Sequence, residues 1–422
     1  MLLIHLRWRS LGWYADNIWL QAISIVMPAV SYELKGEPQV RLSSLALYAG
    51  LIVGATFWGC SCDIVGRRLA WNATLLIGGI FGVAAGAAPN FTALCVLLSF
   101  IGFGVGGNLP VDGALFLEFL PGRNQYLLTL LSVWWAVGQV VASLIAWAFL
   151  AKYSCDPTIE ECTRDNNQGW RYTYYTLGAH MIFLSAFRLW LLPMDESPKF
   201  LCAIGRDQDA VDVIHKVARK NGRVSTLTVE DLRRAAAPFT VGGSVEETTT
   251  KFSLWELLKH SFDDFNGEHI KGLFATPRLA WNTSLIIYIY ASIGLAYPLF
   301  NQFLGQYLAS KNAALGGGSA SIDATYSTYS YQAACGVPGS LVAALLVEMK
   351  MGGRKFAMAF FTIASGICLF GLTQIKTTAG LNGLTSINAF FQYYGVIYAY
   401  SPEVFPSPHR GTGDAIASAA NR

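Results

Sequence analysis

Charge is what this sequence has least of. Only 14% of its 422 residues are Asp, Glu, Lys or Arg, against about 25% in soluble globular proteins, and 53% are hydrophobic. That balance excludes an ordinary soluble enzyme. A net charge of +3, scattered along the chain, excludes a nucleic-acid-binding surface. The eight Cys lack metal-ligand spacing: Cys60-x-Cys62 has no second pair, and Cys95, Cys202, Cys335 and Cys368 stand alone. The six His, among them His180, His215, His260 and His269, have no ligand spacing either, and no nucleophile is patterned with a base. No metal, no cofactor and no catalytic constellation is therefore expected. Met1–Arg9 carries charge, but the apolar stretch behind it contains Asp16 and lacks a cleavage site, so no cleavable signal peptide is expected.

What the chain has instead is long apolar runs, with 12 Trp, 19 Tyr and 41 Gly, the mixture of interface aromatics and close-packing glycines found in multi-helix membrane proteins. Runs long enough to cross a bilayer as helices lie at Leu11–Val30, Leu42–Ser61, Leu69–Ala88, Phe91–Leu120, Tyr126–Ala151 and Thr173–Pro193. Four more follow at Leu279–Leu308, Tyr326–Val347, Phe356–Thr373 and Leu381–Tyr400, and an eleventh begins near Gly411. The polar stretch between them holds an amphipathic pattern over Pro198–Lys220, a helix start at Thr228-Val229-Glu230-Asp231, and a further surface helix over Phe252–Phe274. The expectation is an all-α multi-pass membrane protein with about ten full spans and a partial eleventh.

Between the second and third runs stands Gly59-x3-Asp63-x2-Gly66-Arg67-Arg68. Lys and Arg gather on the side of this loop, most of them between Lys199 and Arg278, which makes that side cytoplasmic. Gly66-Arg67-Arg68 recurs as Gly353-Arg354-Lys355, and Glu118-x2-Pro121 recurs as Glu403-x2-Pro406, at offsets that agree within two residues. The chain therefore reads as two similar halves, residues 1–193 and 279–422, joined by a cytoplasmic linker, 194–278. Mapped on that repeat, Arg422 falls in the middle of the fifth span of the first half and Leu279 falls before Met1, so a chain trimmed at both ends is expected.

Several polar residues in the runs could carry function. Asp16 lies in the first span, where an ionisable group costs about 2.5 to 3.5 kcal/mol on insertion scales and so faces a cavity or a partner. It is a proton-coupling candidate, or else an interfacial carboxylate. Asp112 is the second such candidate, one helical turn from Asn108 on the same face, unless it only bonds a neighbouring helix. Asn108, Gln139, Asn301, Gln302, Gln332, Gln392 and Tyr394 are substrate-binding candidates, because buried amides need partners. Trp134, Trp135, Tyr288, Tyr290, Tyr297 and Tyr393 offer aromatic faces, or simply packing. Asp63, Arg67, Arg68, Glu118, Arg123, Arg354, Glu403 and Arg410 cluster at the cytoplasmic ends of spans in both halves, as ion pairs that gate that side would. Arg188, near the inner end of the sixth run, is expected to snorkel to the interface. Gly102-x-Gly104-x2-Gly107 has dinucleotide-site spacing, but with no strand before it close helix packing explains it better. Cys155 and Cys162 share one outer loop and could form a disulfide. Asn90-Phe91-Thr92 is a formal glycosylation sequon too close to the membrane for use.

The Gly59–Arg68 pattern resembles the loop between helices two and three of the major facilitator superfamily. Asp195-Glu196-Ser197-Pro198-Lys199 and Ser401-Pro402-Glu403-x2-Pro406-x3-Arg410-Gly411 resemble its sugar-porter group. Ala15-Asp16, Gly104-x-Gly106-Gly107 and Glu118-Phe119-Leu120-Pro121 are similar to the branch of synaptic vesicle glycoproteins and phosphate permeases. The resemblance implies two pseudo-symmetric helical bundles that rock about a central site, and a monomeric carrier in the plasma membrane or a vacuolar or vesicular membrane. It also implies a small organic solute, a sugar or an organic anion, moved together with protons. Phosphate permeases have an acidic residue where this chain has Asn108, so phosphate is not implied. The alternative is a non-transporting truncated paralogue or membrane receptor.

Overall fold

The computed structural model describes residues 11–34, 42–119, 127–155, 161–190, 195–203, 205–236, 268–314, 322–349, 353–392, 395–405 and 410–422. Among the described residues helices are the only regular structure. The first group is α1 (Leu11–Glu33), α2 (Leu42–Val65), α3 (Arg67–Gly86), α4 (Phe91–Gly106), α5 (Asn108–Phe119), α6 (Leu127–Leu131), α7 (Val133–Tyr153) and α8 (Gly169–Trp190). Four shorter helices follow: α9 (Pro198–Ala203), α10 (Asp207–Lys220), α11 (Val229–Ala236) and α12 (Glu268–Leu273). The last group is α13 (Pro277–Ala314), α14 (Ile322–Glu348), α15 (Gly353–Gln374), α16 (Thr378–Phe391), α17 (Gly395–Val404) and α18 (Arg410–Ala420).

Among the described residues seven helical stretches are long and apolar enough to cross a membrane: Leu42–Gly59, Arg68–Gly86, Phe91–Gly113, Thr129–Tyr153, Pro277–Leu304, Thr325–Glu348 and Gly353–Gln374. α1 and α8 have the length, but Asp16, Asn17 and Gln21 in one and Arg171, His180 and Arg188 in the other dilute their apolar character. Three expected single spans are interrupted. The fourth breaks at Gly107, between α4 and α5. The fifth breaks at Ser132, whose hydroxyl bonds back to the Thr129 carbonyl. The tenth is divided into α16 and α17. The amphipathic pattern over Pro198–Lys220 is likewise two helices, because Gly205 between them takes φ 76, a conformation open mainly to glycine. α11 starts where expected: Asp231 N donates to Thr228 Oγ1 at 3.2 Å and Thr228 N to Asp231 Oδ2 at 3.0 Å. The Thr228 hydroxyl and amide hold the Asp231 carboxyl below its usual range. Of the helix expected over Phe252–Phe274, residues 252–267 lie outside the described residues.

Packing follows from small residues, as it must where lipid is as apolar as the helices themselves. α2 and α4 approach so closely that a Cβ on Gly50 would sit 2.0 Å from the Ser99 carbonyl and one on Gly102 2.3 Å from that of Leu47. α3 and α8 meet through Gly79, Gly82 and Gly178. α1 runs through the middle of the first group, with Ala15, Ile18, Trp19, Ala22, Ile25 and Val26 all buried. The two groups touch where α7 packs on α14, α1 on α13, and α18 on α2. Gly66 and Gly353, the glycines of the repeated motif, share positive φ values of 99 and 57. Cys155 and Cys162 are joined in a disulfide between α7 and α8, with Cα atoms 5.7 Å apart.

Candidate functional site

A cavity of about 70 Å³ lies between the two groups. Asp16 and Leu20 of α1, Trp135 and Gln139 of α7, Tyr297 and Pro298 of α13, Tyr398 of α17, and Asn421 and Arg422 beyond α18 line it, as does Gln392. A second, smaller cavity of about 40 Å³ shares Gln139, Tyr297 and Gln392 and adds Gln21, Asn301 and Gln332.

The charges in the first cavity are a carboxylate and a guanidinium. Asp16 is 2% exposed, accepts from Asn108 Nδ2 at 3.2 Å, and lies 3.5 Å from Arg422 Nη2. Arg422 Nη1 donates to the Gly106 carbonyl at 2.6 Å and the Leu51 carbonyl at 3.2 Å. The break at Gly107 supplies the first of these acceptors, because a helix end leaves its last carbonyls without intrahelical partners. One cation is thus held against three oxygens from α1, α2 and α4. The 3.5 Å separation and remaining guanidinium hydrogens leave Arg422 able to take an incoming anion.

Above and below, the cavity is closed by different chemistry. On the Gly66 side Trp13, Trp135 and Tyr398 form a cluster with ring centroids 5.3–6.2 Å apart, and Tyr290 adds a further edge contact at 5.2 Å. The indole Nε1 atoms of Trp13 and Trp135 are buried with no partner. On the Cys155 side the closure is polar. Ser24 Oγ donates to the Asn301 carbonyl at 2.7 Å, Ser44 Oγ to Gln302 Oε1 at 3.1 Å, and Gln302 Nε2 to the Leu20 carbonyl at 3.3 Å. Further out, Trp147 Nε1 donates to Asp323 Oδ1 at 2.8 Å.

The expected site residues fall into groups. Asp16, Gln139 and Gln392 line the first cavity, and Asn301 and Gln332 the second. Gln139 Nε2 bonds Asn17 Oδ1 at 3.1 Å and the Tyr297 hydroxyl. Gln332 Nε2 donates to Thr385 Oγ1 at 2.8 Å. Asn108 orients Asp16 from behind. Gln302 joins α13 to α1 and α2 rather than lining either cavity. Asp112 is buried in the first group: Gly12 N donates to its Oδ2 at 3.0 Å and Arg188 lies 3.9 Å away. Arg188 does not reach the interface. It is fully buried, donates to the Trp71 carbonyl at 2.8 Å and stacks 4.1 Å over the Trp71 ring, because Asp112 and an indole offer better partners there than lipid does. Tyr288 is 70% exposed on the outer surface of α13, far from a binding role. Asn90 caps α4, accepting from Ala93 N at 2.8 Å. Tyr394 and Arg123, and the side chains of Asp63, Arg67, Glu118, Glu403 and Arg410, lie outside the described residues. Of the remaining gate candidates, Arg68 N donates to Glu196 Oε2 at 3.3 Å and Arg354 is half-buried at the start of α15.

Sequence reasoning missed Arg422 and the Trp13–Trp135–Tyr398 cluster. A signal for the first was available: Ile416-Ala417-Ser418-Ala419-Ala420 is a run of mostly small residues suited to close packing, and an Arg two residues behind it needs a buried acceptor.

A helical membrane protein with a charged cavity between two groups of spans is a solute carrier in outline. The chain belongs to the Major Facilitator Superfamily, whose family model matches residues 14–422. It is 45% identical to MFS siderochrome iron transporter 1 of Ceriporiopsis subvermispora over 97% of this chain and 77% of that protein. Major facilitator-type transporter hxnZ of Emericella nidulans is 42% identical over 97% of this chain and 74% of its own length. The fold matches that of the proton:xylose symporter XylE, with a TM-score of 0.70 at 18% identity, covering 99% of this chain and 85% of that one. The protein is thus a multi-pass integral membrane protein of a transporter family, and the expectation of a carrier rather than an enzyme follows from that membership.

Proposed function

We propose that this chain carries a small organic anion with a flat apolar part, by alternating access and in symport with a proton on Asp16. The observation that supports this is the Asp16–Arg422 pair, 3.5 Å apart in a cavity walled by Trp135, Tyr297 and Tyr398. The guanidinium takes the solute's carboxylate, the unpartnered Trp135 indole N–H donates to it, and the aromatic rings cover its apolar face. Once the solute occupies Arg422, the Asp16 carboxylate is left buried without its counter-ion. A proton then neutralises it, and the loaded cavity is electrically balanced when it moves. A sugar would need no guanidinium, which favours the anion among the two substrate classes.

In this reading residues 1–193 and 279–422 rock about the cavity, and 194–278 tether them. The aromatic cluster and the Gln302 bonds part in turn, so that the cavity opens to one side at a time. Asp112 serves as a second proton candidate or as the pin that holds α5 to α1 and α8.

Uptake into proteoliposomes tests the proposal. With an inward acid gradient, an aromatic monocarboxylate should accumulate, while its uncharged amide and a hexose should not. Preference for the hexose or for a ferric siderochrome would overturn the anion assignment. Binding of the carboxylate with no uptake under any gradient would favour the non-transporting alternative.

A further inference from the structure

The second cavity continues the first past Gln139, Tyr297 and Gln392, which line both. Neither Asp16 nor Arg422 lines it, so those three residues stand between it and the charged pair. Among the described residues its wall carries no charge. Its polar groups are mainly amides, and the chemistry of their partners fixes how two of them are turned. Thr385 Oγ1 lies 2.9 Å from the Leu381 carbonyl and 3.0 Å from the Asn382 carbonyl, which can only accept, so its one hydrogen is spent on its own helix. Toward Gln332 the hydroxyl is therefore an acceptor. Gln332 must present Nε2 to it, at 2.8 Å, and this leaves Gln332 Oε1 buried with no partner. The residue is 5% exposed, so bulk water does not serve that oxygen. Asn301 is fixed in the same way, since its Nδ2 donates to the Tyr297 carbonyl at 3.0 Å. Gln21 spends its Nε2 on Ser143 Oγ at 3.2 Å and Gln139 its own on Asn17 Oδ1 at 3.1 Å. Four amide nitrogens are thus engaged within the protein, which makes the cavity rich in acceptors and poor in donors. A buried amide oxygen left without a hydrogen bond is costly, and a solute that reaches it with a donor removes that cost.

We infer that the solute carries a neutral hydrogen-bond donor, a hydroxyl or a ring N–H, on the edge of its flat part opposite the carboxylate, and that Gln332 Oε1 receives it. This rests on the reading of Arg422 as the partner of the carboxylate, and it narrows the substrate class to hydroxylated or N–H-bearing ring acids. The donor is neutral because an ammonium would enter a wall that offers no counter-charge. It belongs to a single substituent, because about 40 Å³ is room for on the order of three waters at about 10–15 Å³ each, too little for a second ring. An ether of similar size fills the same space but has no hydrogen to give, and leaves Oε1 as it found it.

Isothermal titration of the purified full chain with benzoate, 4-hydroxybenzoate and 4-methoxybenzoate tests this. The hydroxy acid should bind about tenfold tighter than benzoate, the upper worth of one neutral hydrogen bond, and the methoxy acid no tighter than benzoate. Gln332→Leu should abolish the difference between hydroxy acid and benzoate, with thermal melting confirming that the variant is folded. Equal binding of all three acids by the unaltered protein would overturn the inference and leave the anion reading standing, whether or not the variant folds. Methoxy acid bound as tightly as hydroxy acid would overturn it too, since that result needs only bulk. Failure of every acid to bind would instead overturn the anion reading, and the inference with it.

Discussion

At the scale of single residues the cavity depends on one opposed pair and one indole. Asp16→Asn keeps the hydrogen bond from Asn108 within reach but cannot take up a proton. It should therefore abolish proton-driven accumulation while leaving solute exchange across the membrane, measured as counterflow in proteoliposomes; full accumulation by this variant would remove Asp16 from the coupling step. Trp135→Phe keeps an aromatic wall and deletes the free N–H, so binding should weaken by about ten- to a hundredfold, the worth of one hydrogen bond to a charged group, with little change in turnover. Asp16 was legible in the sequence because a carboxylate inside an apolar run is conspicuous. Arg422 was legible only as a cation behind a run of small residues; its partners were not, since they are carbonyls that α2 and the broken α4 bring to it, and a chain read in one dimension does not show which helices meet.

Among the elements, the spacing of glycines carried more than the hydropathy did. Gly102-x-Gly104-x2-Gly107 faces three different neighbours: a Cβ would lie 2.3 Å from the Leu47 carbonyl, 2.8 Å from Gly78 N and 2.4 Å from Trp58 Cβ, respectively. Gly102→Val should separate α2 from α4 and lower stability by about 1–3 kcal/mol or more, read as a lower melting temperature and reduced folded yield in detergent. A variant that melts like the parent would show that the two helices have room. Span positions were readable from apolar length alone, but the breaks at Gly107 and Ser132 were not. Neither residue stops a helix by composition: Gly107 breaks α4 where Trp58 crowds it, and Ser132 breaks the next span by bonding its own turn.

For the whole molecule, the two closures of the cavity differ in kind, and this sets how each responds to mutation. Polar bonds of Gln302 join α13 to α1 and α2 on the Cys155 side, while interlocked rings close the Gly66 side. Gln302→Leu should remove two of the bonds between the halves and shift the population toward opening on the Cys155 side. Cysteines placed at positions of α2 near Ser44, with Ser44 itself kept, should then react faster with a water-soluble maleimide in the variant, and an unchanged labelling rate would mean that the latch lies elsewhere. Gly66 and Gly353 were legible as a repeated pair, and their shared positive φ shows why glycine stands in both copies. The difference between the two closures was not legible, because Gln302 stood in the sequence as a substrate contact and Trp13 and Tyr398 carried no signal that sets them apart from packing aromatics.

The bond between Cys155 and Cys162 marks a compartment as well as a loop. Thiols pair where the surroundings are oxidising, so that face of the protein lies away from the cytosol. Under the proposed proton symport, acid on that side would load the carrier and drive net flow toward the cytosol.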